Sequence, residues 1–251
     1  MDAIETILQH RSIRKYKNEP IDEAIITKIL ESGTRASTTG NMQVYSIVVT
    51  KDISIREQLL KCHFGQKMVM EAPLHLTFCA DFNRFNKWCY ARNADPGYNN
   101  FLSFMTSAID ALLAAQNVAI AAESFGLGIC YLGTTLYMAD EISKILKLPK
   151  MVVPITSIVV GYPDESPELT DRLPLEAVIH NETYQDYNNE RINELYYEKE
   201  NSELTKRLIE ENKLENLAQI FTYKRYTKKD NEFFSNKLLN FLVETGYLEE
   251  Q

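Results

Sequence analysis

The sequence predicts an α/β or α+β fold, because short β-branched segments alternate with helical patterns through residues 1–180. An apolar segment at residues 101–125 has the length and composition of a helix that lies at the centre of a structure. The chain has 251 residues, enough to bury a substantial core in one large domain or in one domain with an extension.

The first two helices are predicted from their caps and their apolar spacing. Asp2 is a suitable N-cap for a helix that runs to about His10. In DEAIITKILESG (22–33) the apolar residues recur at helical spacing, and Gly33 is expected to end the helix.

Four segments are predicted to be strands, because they are rich in β-branched residues and bounded by polar ones. They are VYSIVVT (44–50), LHLTFCA (74–80), ICYLG (129–133) and ITSIVVG (155–161). The long helix at 101–125 precedes the third strand, and a shorter helix at 139–146 precedes the fourth. Asp110, Gln116 and Asn117 interrupt the apolar character of the long helix, so we do not expect it to span a membrane.

Residues 1–180 are therefore expected to form the core, and residues 181–251 a charged helical extension. The extension lacks the apolar density for a second core. It is expected to pack on its own core or on a partner subunit.

Composition excludes several classes of partner. The formal net charge is −8, which argues against nucleic acid as the main partner and gives no help to binding anionic membranes. The four cysteines form no CxxC pair, and the chain opens without a long apolar run. We therefore expect reduced thiols, no signal peptide and a cytoplasmic location.

No protein-borne catalyst is evident. The sequence has no P-loop, no GxGxxG after a strand and no nucleophile elbow, and its four histidines lack metal-ligand spacing, so no metal is expected. This pattern is typical of a protein whose chemistry belongs to a bound organic cofactor.

Two polar segments are candidates for binding such a cofactor. HRSIRKY (10–16) places Arg11 and Arg14 around Ser12, and paired arginine forks suit a phosphate. The alternative is a basic helix end that complements the preceding helix dipole. ASTTGNMQ (36–43) is rich in hydroxyl and amide groups that suit a polar ring edge, although it is also an ordinary composition for a turn. Gln66 and Arg172 are weaker polar candidates.

HRSIRKY, PIDEAIITKIL and ASTTGNMQVYSIVV, in this order, resemble the nitroreductase and flavin reductase superfamily, and more closely its NADPH-preferring, oxygen-insensitive branch. Further matching motifs are GQKMV (65–69), CADFNR (79–84), AQNVAIAAESFGLGICYLG (115–133), LKLPKMVVP (146–154) and VVGYPDESPELTDRLP (159–174). The resemblance covers nearly all of residues 1–190 and continues weakly beyond them.

The resemblance implies an α+β homodimer of nitroreductase-like fold, with a central, mostly antiparallel sheet flanked by helices and FMN at the subunit interface. It implies that the arginines hold the phosphate and the pyrimidine or ribityl side of FMN, and that the loop at 36–43 reaches the FMN of the other subunit. The implied FMN-binding residues are His10, Arg11, Ser12, Arg14, Ser37, Thr38, Asn41, Gln66, Tyr131, Leu132, Gly133, Thr134 and Arg172.

Three positions or regions depart from the family's pattern. Thr170 replaces a basic residue two before Arg172, and Thr134 replaces the usual second glycine after YLG. The arginine with which relatives grip the NADPH 2′-phosphate has no recognisable match. Candidates for that role rest on charge alone: Lys206, Arg207, Lys224 and Arg225.

The resulting functional interpretation is an FMN-dependent oxidoreductase. Hydride passes from NADPH or NADH through flavin N5 to small acceptors (nitroaromatics, quinones or free flavin) by a ping-pong mechanism, with no catalytic side chain required. Two alternatives stay open: a flavoenzyme with a narrow physiological substrate, and an FMN-binding redox sensor or storage module without significant turnover.

Overall fold

The computed structural model describes residues 2–249 and divides into two compact units. The first comprises Met1–Glu168 together with Phe234–Gln251, and the second comprises Leu169–Phe233.

Among its described residues, the first unit contains four strands and eight helices. The last of these helices begins in the second unit. The strands are β1 (Tyr45–Thr50), β2 (Leu74–Asp81), β3 (Gly128–Leu132) and β4 (Val152–Gly161). The helices are α1 (Ala3–Leu8), α2 (Glu23–Thr34), α3 (Ile53–Cys62), α4 (Met68–Glu71), α5 (Asn83–Tyr90), α6 (Phe101–Ser124), α7 (Ala139–Leu146) and, after three helices of the second unit, α11 (Lys228–Thr245).

The four strands form one sheet in the order β1-β2-β4-β3, and every neighbouring pair is antiparallel. This confirms the α+β class and the antiparallel sheet that the sequence predicts. All four predicted strands are present, and α7 has the predicted bounds. The Asp2 carboxylate caps α1 by accepting from the backbone N–H of Glu5 at 2.8 Å, as its position predicts.

Both faces of the sheet are covered, which is why β2 and β4 are buried along their whole length. One face packs on α6 in a cluster that includes Phe78, Ile129 and Ile158, and Phe241 of α11 joins the same cluster. The other face packs on a second cluster, to which α3 contributes Leu59 and α7 contributes Ile142.

Helix α6 is long and apolar enough by composition to cross a membrane, but 56% of its most apolar window is buried within the structure. Such burial is typical of the core helix of a soluble protein. The helix is not buried on every side, because one of its faces is exposed to solvent. Its large exposed side chains include Leu102 at 75% and Ile109 at 50%, together with Phe101, Met105, Leu112 and Leu113.

The sequence prediction is wrong for Gly33. This residue lies inside α2 and does not end it. A Cβ at this position would lie 2.5 Å from Cγ2 of Val118 on α6, so the glycine allows the two helices to approach closely.

Helices α3 and α5 are absent from the sequence prediction. In α3 one of the three buried positions is Arg56, which breaks the apolar pattern. Its guanidinium donates to the backbone carbonyls of Met70 and Ala72, so the arginine replaces an apolar side chain in the packing.

The second unit is largely helical, in line with the predicted helical extension. It contains α8 (Asn189–Asn201), α9 (Glu203–Asn212) and α10 (Leu217–Ile220), followed by a π-helical turn at Phe221–Arg225. Side-chain oxygens of Asn188, Ser202 and Asn216 cap the three helices at their N-termini.

Candidate functional site

The N-terminal basic segment lies alongside the outer edge of β3. Ser12 pairs with Ile129 as a parallel bridge, and the backbone N–H of Ile13 donates to the Ile129 carbonyl at 2.9 Å. A Cβ on Gly128 would lie 2.6 Å from Cγ1 of Ile13, so glycine is needed where the segment packs closely beside the strand. The basic segment is therefore fixed to the strand that leads into residues 131–134.

The two arginines of this segment are available to an external anion. Arg11 donates from Nη1 to the Pro167 carbonyl at 3.0 Å and from Nη2 to Oε1 of Gln9 at 3.1 Å, both neutral acceptors. Arg14 is exposed, and no hydrogen bond or ion pair of its guanidinium is found within residues 2–249. Neither cation is neutralised by a carboxylate in that range, which suits the binding of a phosphate.

His10 is engaged differently from the other residues of its motif. Its Nδ1 lies 2.6 Å from Oε1 of Glu123 on α6. Burial raises the pKa of Glu123, and the hydrogen bond from His10 opposes that rise. The imidazole is thus tied to a carboxylate of its own chain, and this contact holds the segment against α6.

A second carboxylate fixes the backbone of the segment. Oε1 of Glu165 accepts from the backbone N–H groups of Arg14 at 2.5 Å and Lys15 at 3.1 Å. These two donors are therefore used inside the protein, so a cofactor phosphate would depend on the arginine side chains. An open cavity of about 330 Å³ adjoins this segment and is lined by Arg11, Glu123 and Glu165 among others.

The loop at residues 36–43 is held by a buried carboxylate on α6. Oδ1 of Asp110 accepts from the backbone N–H of Thr39 at 3.0 Å and from its hydroxyl at 3.3 Å. Oδ2 accepts from the backbone N–H of Val44 at 3.4 Å, so one carboxylate holds both the middle of the loop and the residue that follows it. Asn41 and Gln43 have positive φ of 56° and 48°, a conformation that needs such support.

The predicted site residues of this loop lie on its accessible side. Ser37 and Asn41 are exposed, and Thr38 is half-buried. The sequence interpretation did not assign Asp110 to the site, although an acid in the middle of an apolar helix was the available signal.

His63 links Gln66 to the predicted residues at 131–134. Nδ1 of His63 lies 2.8 Å from Oγ1 of Thr134, and the His63 carbonyl accepts from the backbone N–H of Gln66 at 3.1 Å. The Gln66 side-chain amide has no recorded partner in the described part of the chain. Hydrogen-bonding groups from both segments are therefore free to meet a ligand beside the end of β3.

The other members of the 131–134 segment differ in exposure. Tyr131 donates from its hydroxyl to Oε1 of Gln116 at 3.2 Å, and burial raises its pKa above the usual value. The Leu132 side chain is 1% exposed and belongs to the core, whereas Gly133 is exposed with open space where a Cβ would lie.

The structure does not bring the two groups of predicted residues together within this chain. The loop at 36–43 leads into β1, whereas residues 10–14 and 131–134 adjoin β3, at the opposite edge of the sheet. Three strand spacings separate these edges, about 14 Å.

The remaining predicted residues belong to the second unit. Arg172 is exposed and donates from Nη1 to Oγ1 of Thr170 at 2.7 Å and to the Asp171 carbonyl at 3.0 Å. Lys206 pairs with Glu203 at 2.7 Å, and the Arg225 guanidinium lies 5.6 Å from the ring centroid of Phe221. Arg207 and Lys224 also lie in this unit, so the unit carries all four predicted candidates for the NAD(P)H phosphate.

Within residues 2–249 no group of three or more histidine, cysteine, aspartate or glutamate side chains is placed to hold a metal ion. The four cysteines are buried and unpaired.

Comparison with known proteins decides the family. The profile of the nitroreductase family matches residues 7–162, which is more than half of the chain. The chain belongs to the nitroreductase family. The match spans the N-terminal basic segment, the loop at 36–43 and residues 131–134, so it covers the predicted residues at both edges of the sheet.

Two of the curated relatives of this nitroreductase are named for related activities. The chain is 36% identical over 183 residues to the oxygen-insensitive NADPH nitroreductase of Salmonella typhimurium, covering 73% of this chain and 75% of that protein. It is 37% identical over 185 residues to the FMN reductase (NADPH) of Bacillus subtilis, covering 73% and 74% respectively.

Among solved structures, a Bacteroides fragilis protein superposes with a TM-score of 0.96 at 52% identity, over 98% of this chain and all of that one. These comparisons confirm the predicted family and the nitroreductase-like fold.

Proposed function

We propose that this nitroreductase transfers hydride from NAD(P)H through bound FMN to small acceptors such as nitroaromatics, quinones or free flavin, in a ping-pong cycle. One observation carries the proposal. Cationic side chains without a carboxylate partner and free hydrogen-bonding groups flank the same edge strand, which suits a ligand with a phosphate at one end and a polar ring at the other.

The residues of the candidate site fit FMN in their chemistry. Arg11 and Arg172 would bind the phosphate, and Arg14 would place a positive charge beside the pyrimidine part of the ring. Gln66 and Thr134 would supply hydrogen bonds to the polar edge of the ring, and Ser37, Thr38 and Asn41 of a second subunit would complete the site. Charge, exposure and the family's pattern support these proposed residue roles.

FMN supplies the redox chemistry when bound, through hydride transfer at N5. The work of the protein is placement, because hydride transfer requires donor and acceptor rings to lie parallel and close. The rigid attachment of residues 10–14 to β3 and the braced loop at 36–43 supply such a frame.

A homodimer is part of the proposal. A single protomer keeps the two groups of predicted site residues at opposite edges of its sheet, and it leaves a row of large apolar side chains on α6 exposed. A second copy that covers α6 would remove this apolar surface from water and complete each site with the loop of the other subunit.

The electron donor is NADPH or NADH, with Lys206, Arg207, Lys224 and Arg225 as the proposed contacts of the adenosine phosphate. We also propose a cytoplasmic location, because the four free cysteines suit a reducing compartment.

Absorbance spectroscopy of the purified protein tests the proposal. We expect a flavin spectrum with 1:1 FMN per chain, and anaerobic bleaching on addition of NADPH or NADH. FMN that binds without bleaching would instead support the sensor or storage alternative, and a protein that binds no FMN would refute the proposal.

The phosphate contacts are tested by Arg11→Ala. Loss of one charge-assisted hydrogen bond of about 1.5–3 kcal/mol should raise the FMN Kd roughly 10–150-fold. Arg172→Ala should behave alike, and the double variant should purify nearly colourless. Arg92→Ala is the matched control, because Arg92 is exposed and its guanidinium, among the described residues, donates only to the neighbouring Ala91 carbonyl.

A further inference from the structure

A continuous chain of buried polar side chains runs from the sheet to residue 134. Oγ of Ser157 on β4 lies 3.3 Å from Oγ1 of Thr77 on β2, and Oγ1 of Thr77 lies 3.5 Å from Nδ1 of His75. Nε2 of His75 lies 3.4 Å from Nε2 of His63, and Nδ1 of His63 lies 2.8 Å from Oγ1 of Thr134. The reaction through FMN does not require any of the four inner groups, so their arrangement needs a separate explanation.

The four inner members of the chain are fully buried, and both histidines are neutral near pH 7. Ser157, Thr77, His75 and His63 each have 0% exposure. Burial lowers the pKa of His63 to about 4. Burial, with smaller contributions from His63 and Arg56, lowers the pKa of His75 to about 3. Each neutral ring has one N–H donor and one acceptor nitrogen. A ring that accepts a hydrogen bond on one nitrogen therefore donates one from the other, so all bonds of the chain point the same way.

The direction of the chain is set by its inner end. If the donors point inward, Thr77 receives a hydrogen bond from His75, and the hydroxyl hydrogen of either Thr77 or Ser157 is left with no acceptor recorded among the described residues. Leaving a buried donor unsatisfied costs about 1–3 kcal/mol. If the donors point outward, every buried hydrogen has an acceptor: Ser157 donates to Thr77, Thr77 to His75, His75 to His63 and His63 to Thr134.

The outward direction has one consequence at the candidate site. Oγ1 of Thr134 accepts from His63, and its hydroxyl hydrogen has no acceptor among residues 2–249, so this hydrogen is available to a ligand. Thr134 is half-buried at the start of the helical turn Gly133–Met138, and it is the only outer member of the chain.

We propose that this chain fixes the Thr134 hydroxyl as a hydrogen-bond donor to an acceptor atom on the ring system of bound FMN. His63 is then a positioning residue, and Thr134 tunes the cofactor. The proposal rests on the proposed function, because it needs FMN beside residues 131–134. The glycine that Thr134 replaces in the family's pattern has no hydroxyl, so this donor is a property of the present chain.

The tautomers of the two histidines test the direction of the chain without any cofactor. We expect ¹⁵N NMR of the FMN-free protein at pH 7.5 to show His63 protonated on Nδ1 and His75 protonated on Nε2. The opposite pair, His63 protonated on Nε2 and His75 on Nδ1, would overturn the proposal.

Thr134→Val tests the contact with the cofactor, because valine keeps the shape and removes the hydroxyl. A donor to a ring atom that gains negative charge on reduction favours the reduced form, so its loss should weaken reduced FMN about tenfold relative to oxidised FMN. For a two-electron couple this lowers the potential by about 30 mV. Thr134→Ser should retain the wild-type potential.

Thr135→Val is the matched control. Its hydroxyl donates to the Leu132 carbonyl at 2.8 Å, so the control removes a neighbouring hydroxyl that does not face the ligand. With FMN bound, an unchanged potential in Thr134→Val would overturn this inference alone. Failure of the wild-type protein to bind FMN would overturn both this ligand assignment and the proposed function.

Discussion

The hydrogen bonds by which Asp110 holds the loop at 36–43 are tested by Asp110→Asn. Asp110 is 1% exposed and accepts three hydrogen bonds, two from Thr39 and one from Val44. Asparagine keeps one oxygen, which serves Thr39, but it turns an amide donor toward the backbone N–H of Val44. The substitution therefore removes one bond to a charged acceptor and leaves a buried donor unsatisfied.

A hydrogen bond to a charged group contributes about 1.5–3 kcal/mol, so we expect the free energy of unfolding to fall by about 2 kcal/mol. For a chain of this size, the midpoint of thermal unfolding should fall by about 4–8 °C. Asp110→Ala removes all three bonds and should have the larger effect. Scanning calorimetry measures the midpoint, and amide hydrogen exchange at Thr39 and Val44 reports whether the loop is loosened locally.

The matched control is Asp95→Asn, which makes the same change of charge at an exposed residue. The loop also carries Ser37, Thr38 and Asn41, so Asp110→Asn should weaken FMN binding as well. An unchanged midpoint together with unchanged exchange at Thr39 and Val44 would refute the view that Asp110 holds the loop.

Three further substitutions probe packing, assembly and pH dependence. Gly33→Ala should destabilise the fold by about 1–3 kcal/mol in urea unfolding, because its Cβ would lie 2.5 Å from Val118; Gly97→Ala, which meets open space, should be neutral by comparison. Ile109→Glu should convert a dimer into monomers in light scattering, because it charges the exposed face of α6; a dimer of unchanged stability would place the interface elsewhere. Below pH 6.5 His75 becomes protonated in the unfolded chain, but it stays neutral in the folded protein, where its pKa is about 3. Stability is therefore lost as pH falls below 6.5, by about 2 kcal/mol at pH 5 from this group, and His75→Gln should remove that part of the loss.

Local sequence was sufficient for the strands and for several helices. The four strand segments are β-branched and bounded by polar residues, and α7 ends before a proline, so each element is specified by neighbouring residues. Helix α3 was missed because its core-facing positions include Arg56, whose partners are backbone carbonyls rather than apolar groups. Helix α5 was missed because it buries a single residue, Cys89, and so shows no apolar repeat facing the core. The prediction for Gly33 was wrong because a glycine that permits close helix packing and a glycine that ends a helix look alike in sequence.

The sequence by itself determined the family, the α+β class and the class of reaction, because ordered motifs and the absence of a catalytic side chain are properties of the chain alone. The tertiary structure decided which polar groups are free to meet a ligand. His10 is engaged by Glu123, 113 residues away, and Thr134 is held by His63, 71 residues away. Such pairs form only when the sheet brings distant segments together, and burial then makes each hydrogen bond costly to leave unmade.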